Sequence, residues 1–158
     1  QPEMKSGDTL SRLLEFEKYV STNLTSAFVL SEVCSKWFPE RGVSIVHVAS
    51  TRAHQSEPSC EGYASAKAGL IGLTHAQGQT LAGKARVNVI LPGWINTDPS
   101  YFPSDADHAW HAGQGRVGLP DDVAQMALFL ADESKSGFIT CSEFVVDGGV
   151  SRKMVYPE

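Results

Sequence analysis

Tyr63 and Lys67, four residues apart, are the side chains of this chain best suited to chemistry. On a helix that spacing puts both on one face, one turn apart. A phenol is a poor base near neutral pH, its free pKa being about 10, and a neighbouring ammonium favours the phenolate. The pair suits proton exchange with an alcohol or carbonyl oxygen. Ser50 closes a β-branched run just upstream, where its hydroxyl could hold the oxygen that Tyr63 protonates or deprotonates. A Tyr-x-x-x-Lys pair alone is common as surface amphiphilicity. The serine, the loop after it and the strand-Pro-Gly downstream give it meaning.

The surrounding elements must place these groups. Residues 9–38 carry Leu10, Leu13, Leu14, Tyr19, Val20, Leu24, Phe28, Val33, Trp37 and Phe38 at spacings mostly of three and four. This predicts one long helix or two abutting ones, interrupted by the polar run Ser21-Thr22-Asn23. Residues 44–49 predict a buried strand, 50–62 a loop, and 63–82 an Ala- and Leu-rich helix ended by Gly83. Val87 to Leu91 predicts a second buried strand, stopped by Pro92-Gly93. Residues 94–118 show no periodicity and read as a functional lid. Pro120, Asp121 and Asp122 suit a helix start, and Glu143 to Val146 a third strand. Alternating strands and helices imply an α/β fold with a parallel sheet. With no linker or repeat, residues 1–158 are expected to form a single domain.

Tyr63-Ala64-Ser65-Ala66-Lys67-Ala68-Gly69 resembles the active-site helix of the short-chain dehydrogenases/reductases, with Ser50 in the place of their upstream serine. Ser21-Thr22-Asn23-Leu24-Thr25 is similar to the helix that carries their catalytic asparagine, and Arg86 to Gly93 to their next strand and Pro-Gly turn. Gly118 to Ala124 and Val145 to Gly149 also fit. The resemblance runs from about residue 8 to the C-terminus. It implies a Rossmann-like doubly wound parallel sheet, here its C-terminal portion, and hydride transfer between NAD or NADP and a small carbonyl or alcohol substrate. It implies catalytic Ser50, Tyr63, Lys67 and Asn23, the last holding a water in a proton relay. Tyr63, Lys67, Pro92, Gly93, Ile95 and Thr97 would hold the cofactor, Ile95 through its backbone and Thr97 through its hydroxyl. The helices at 9–38 and 63–82 would form the interface of a homodimer or homotetramer. Ala49 to Ala53, with Gln55 to Pro58, resembles one branch of the family.

The family's first half has no counterpart in these residues. No Gly-rich turn follows a strand to cradle a pyrophosphate, and the strand that pairs with 44–49 is missing, which would leave a sticky edge. The chain begins with Gln1 rather than Met, so a processed or partial polypeptide is expected. A truncated, non-catalytic half-domain that serves as a dimerisation or scaffold module is the alternative to an enzyme.

Composition narrows the field. The 158 residues are 42% hydrophobic and 20% charged, with net charge −5, an ordinary globular composition. No basic stripe suits a nucleic-acid backbone, and no apolar run is long enough to span a bilayer. Residues 1–10 lack the pattern of a signal peptide. Cys34, Cys60 and Cys141 show no metal spacing and read as free thiols of a reducing cytoplasm. His108 and His111 have a spacing that a metal could use on a helix, but no third ligand stands near. Gly113 disfavours a helix, so they are expected to be lid or surface histidines and no metal site is expected. His47 and His75 read as packed or half-exposed. Trp94, Tyr101, Phe102 and Trp110 could line an apolar pocket or simply pack. Glu57 and Glu61 could select a polar or cationic substrate or stand as solvated charges.

Overall fold

The computed structural model describes residues 6–111 and 115–154. Three parallel strands, β1 (Val43–Val48), β2 (Ala85–Pro92) and β3 (Glu143–Val146), form a sheet in the order β1-β2-β3. Val43 pairs with Ala85 and Val48 with Ile90, while Val89 pairs with Glu143 and Pro92 with Val146. Each expected strand is present, β2 somewhat longer than its apolar run. As expected for the C-terminal portion of a Rossmann-like sheet, β1 stands at an edge, unpaired on its outer side among the described residues.

Side-chain alternation along β2 explains the two layers. Val89 and Leu91 meet Leu70 of α3 (Glu61–Thr80) and Ala49 in a buried cluster, with Leu24, Ala27, Ile71 and Leu73 around it. Arg86, Asn88 and Ile90 face the other way, toward α5 (Pro120–Ala131), which packs on β1 and β2. Arg86 ends that helix by donating to the Leu130 carbonyl at 2.9 Å and to Ser136 of the short α6 (Glu133–Ser136). Asn88 is fully buried and satisfied, its Nδ2 donating to the Ile139 carbonyl and its Oδ1 accepting from the Ser142 N–H. Helices thus cover both faces, the arrangement that parallel sheets require.

The segment predicted as one or two helices is two. α1 (Ser6–Val20) and α2 (Ser26–Ser35) are joined by one π-helical turn, Ser21–Thr25. The Ser26 N–H reaches back to the Ser21 carbonyl, and side chains supply the other local bonds. Asn23 Nδ2 donates to the Tyr19 carbonyl at 3.1 Å and Ser26 Oγ to that of Thr22 at 2.6 Å. Polar side chains competing for backbone groups in this way disturb a regular helix. Gly69 lets α3 approach this turn, because a Cβ there would stand 2.6 Å from a methyl of Leu24.

The described residues of the stretch 94–118 are more ordered than the sequence suggests. An isolated bridge between Ile95 and Gly118 ties its ends together, and α4 (Asp105–Trp110) forms inside it. Ser104 and Asp107 start α4 with a reciprocal capping box, Ser104 Oγ accepting from the Asp107 N–H while Asp107 accepts from the Ser104 N–H. That local gain outweighs the breaking effect of nearby glycines. Gly113 itself lies outside the described residues.

The start of α5 carries a pH dependence. Arg116 grips Asp122 with two bonds of 2.8 and 2.7 Å, and the Leu119 N–H adds a third of 2.8 Å. The guanidinium first, then the backbone donor, hold the Asp122 carboxyl down at about 2. A depressed carboxylate contributes stability above its ordinary value near 3.8 and loses it as pH falls toward about 2. Asp122→Asn is therefore expected to be less stable at neutral pH, with the gap to the parent narrowing through that acid window. Urea midpoints measured across the window check this, and a gap independent of pH would contradict it.

Candidate active site

In a parallel sheet all strands end on one edge, and the helix after the next loop begins there. Ser50 follows β1 on that edge with an extended backbone, and its Oγ accepts from the Arg52 N–H at 3.2 Å, opening a 3-10 turn over Thr51–Ala53. The loop returns through buried Cys60, and α3 starts at Glu61, two residues before its predicted start. Tyr63 thus lies in the first turn and Lys67 in the next. Lys67 Nζ stands 5.5 Å from the centroid of the Tyr63 ring and donates to the Val48 carbonyl at 2.9 Å. Burial lowers its pKa. The Tyr19 ring meets that of Tyr63 edge-on at 6.1 Å, so α1 braces it from behind.

These groups open on a cleft of about 1060 Å³. Ser50, Tyr63, Lys67, Pro92, Gly93, Ile95 and Thr97 all line it, so seven of the eight residues expected at the site meet in one place. Asn23 is not among the lining residues. It stands in the π-turn one turn beyond Tyr19. The Ile95–Gly118 bridge uses the Asn96 N–H and the Trp94 carbonyl, bonded to Gly118 at 2.8 and 3.2 Å. In such a ladder the N–H and C=O of Ile95 itself point away from Gly118.

The candidate lid residues divide. Trp94 and Trp110 line the cleft, Tyr101 leans on Trp94 at 6.3 Å, and Phe102 is 85% exposed. Of the two places expected for the histidines, lid or surface, His111 takes the first and not the second: it is buried within the 94–118 stretch against Trp94 at 5.8 Å and donates from Nδ1 to the Asp107 carbonyl. His108 Nδ1 accepts the Val117 N–H. Both act in packing this segment. His47 is buried in β1 and bonded to Gln77, and burial lowers its pKa.

The two loop glutamates do not present free charge to a cationic substrate. Glu57 lines the cleft but pairs with Arg52 at 2.5 Å, and Glu61 pairs with Arg12 of α1 at 3.3 Å. Sequence reasoning missed Arg52 and Lys153. Both line the cleft, Arg52 with its guanidinium 5.7 Å from the Tyr63 ring centroid and Lys153 with its ammonium 4.5 Å from that of Trp110. The signal that could have found Arg52 is its place two residues after Ser50, in the polar loop that leads back to Tyr63. Nothing in the sequence ties Lys153 to Trp110.

A family profile described as enoyl-(acyl carrier protein) reductase matches residues 5–151. The chain is 42% identical to an uncharacterized oxidoreductase of Thermotoga maritima over 92% of its own length and 60% of the relative's. The chain belongs to the short-chain dehydrogenase/reductase family. Its fold is similar to that of an apo SCOR enzyme from Clostridium thermocellum, with a TM-score of 0.82 and 41% identity over 90% of this chain and 56% of that one. It is also similar to a 4-hydroxyisoleucine dehydrogenase complexed with NADH, with a TM-score of 0.75 and 29% identity over 96% and 63% of the two chains. The chain therefore spans about 56–63% of the length of these short-chain dehydrogenase/reductase relatives.

Proposed function

We propose that this cleft is the active site of an oxidoreductase that moves hydride between NAD or NADP and a small carbonyl or alcohol substrate. The observation that carries the reading is the meeting of Ser50, Tyr63 and Lys67 with Ile95 and Thr97 in one cleft. The donor set fits the nicotinamide-ribose end of such a cofactor. Lys67 has three donors and spends one on the Val48 carbonyl, Ile95 has backbone groups turned from its bridge, and Thr97 has a hydroxyl. The nicotinamide, when bound, takes up or gives the hydride. The chain's residues do the rest.

In the oxidative direction the substrate is an alcohol whose carbinol carbon would give up a hydride. The hydroxyl proton passes to Tyr63 Oη, and a C=O bond remains. Ser50 Oγ holds the reacting oxygen, and Lys67 sets a positive charge beside the Tyr63 ring, 5.5 Å from its centroid. Trp94 and Trp110 keep water from the reacting carbon. Asn23 acts as a positioning residue through a water on the Lys67 side, and the π-turn supports this, since such turns recur at functional sites. Asn23→Ala is expected to lower kcat about tenfold with the cofactor KM little changed. Steady-state kinetics check this, and an unchanged kcat would remove Asn23 from the relay.

A second reading rests on a different observation. Leu10, Leu14, Leu30 and Trp37 on α1, α2 and the turn after them are 58 to 74% exposed, and exposed apolar side chains gathered in a patch mark an interaction surface. It supports association into a homodimer or homotetramer, or a scaffold role without catalysis. Titrating NADH or NADPH fluorescence separates the two. Cofactor binding supports the enzyme, whereas association without cofactor binding supports the scaffold.

A further inference from the structure

The loop between β1 and α3 brings to the cleft a cation that hydride chemistry does not need. Arg52 lies with its guanidinium carbon 5.7 Å from the Tyr63 ring centroid, one terminal nitrogen on Glu57 and the other 3.5 Å from Cys60 Sγ. Its side chain is 42% exposed, and a guanidinium has five donors in a planar fork. As a loop staple the pair would achieve little, because an exposed ion pair is screened by solvent and costs side-chain entropy to hold. As a receptor it is well placed, with part of the fork open to the cleft beside the ring that handles the proton.

Charge on the walls points the same way. Among the described residues, the cleft is lined by the cations Arg52, Lys67 and Lys153 and by one carboxylate, that of Glu57, in a chain whose net charge is −5. A cleft of one sign within a protein of the other draws in ligands of opposite charge. Glu57 keeps the guanidinium over Tyr63 and leaves room for a second carboxylate on the fork, a geometry at which arginine excels. We infer that the substrate is an anion, a short hydroxy or oxo acid whose carboxylate is gripped by Arg52 while its reacting oxygen sits at Tyr63. This deepens the dehydrogenase reading and rests on it.

The test compares hydroxybutyrate and hydroxyvalerate isomers with their methyl esters in the full-length protein, with NAD and NADP, before and after Arg52→Gln. The acids are expected to exceed their esters in kcat/KM by about tenfold or more, and Arg52→Gln to collapse that ratio toward one, with Arg52→Lys restoring part of it. Comparing acid with ester removes any effect of the substitution on Tyr63 itself. Equal use of acids and esters would overturn the inference. So would a rise in cofactor KM with the acid-to-ester ratio intact, which would assign the guanidinium to a cofactor phosphate. Saturation-transfer NMR on the same acids, with NADH present, separates the two levels of the proposal. Acid binding that Arg52→Gln removes, without turnover, would keep the anion site and overturn the dehydrogenase. Turnover of esters alone would do the reverse.

Discussion

Tyr63→Phe is expected to lower turnover by roughly a hundred- to ten-thousand-fold, the usual range for a positioned proton donor. The fold should hardly notice. The phenyl ring keeps its contacts with Tyr19, Arg52 and Lys67, and only the hydroxyl on a half-exposed side chain is lost. The stability change should stay within about 0.5 kcal/mol. Turnover and a urea melt on the same preparation decide the matter. A variant that melts like the parent and still turns over would remove Tyr63 from the chemistry.

Gly93→Ala is expected to damage both fold and site. A Cβ at this position would stand 2.6 Å from the Asp147 Cβ and 2.9 Å from its Cα, and the second of these is backbone that cannot swing aside. The Gly93 N–H also bonds the Val146 carbonyl at 3.0 Å, where β2 and β3 end. Adding the methyl must push those ends apart, at a cost of roughly 1–3 kcal/mol. Two residues on, Ile95 and then Thr97 would shift with the chain. A displacement of about 1 Å can cost a hundredfold in rate. A raised cofactor KM alongside a lowered urea midpoint is the expected result. An unchanged KM would separate the Pro92-Gly93 turn from cofactor binding.

Much of this was legible from residue order. β2 reads as a buried strand because Val87, Val89, Ile90 and Leu91 leave no polar face except Asn88, which finds two backbone partners inside. The Tyr63–Lys67 spacing is readable because a helix fixes which side chains share a face, and the parallel sheet then brings Ser50 to the same edge. Other features depended on the path of a loop. No pattern in residues 50–62 says that Arg52 folds back over Tyr63 or that Glu57 is its partner, since both depend on where Cys60 is buried. Glu61 faces α1 because α3 begins there, two residues before its apolar periodicity does.

The stretch 94–118 misled for a different reason. Its glycines and prolines are conspicuous, while the Ser104–Asp107 capping box that starts α4 is a short signal inside them. Once α4 forms, His111 is carried beneath Trp94 rather than to the surface. The π-turn left only the polar run Ser21-Thr22-Asn23 as its trace. Polar residues mid-helix can bend it, cap it or face water, and sequence does not choose among these.

Isotope transfer tests the central claim most directly. The full-length protein, incubated with NAD or NADP and secondary alcohols carrying deuterium on the carbinol carbon, should place that label on the nicotinamide ring, and Tyr63→Phe should slow the transfer by at least about a hundredfold. A folded, cofactor-binding protein that leaves the nicotinamide unlabelled with every alcohol would contradict it.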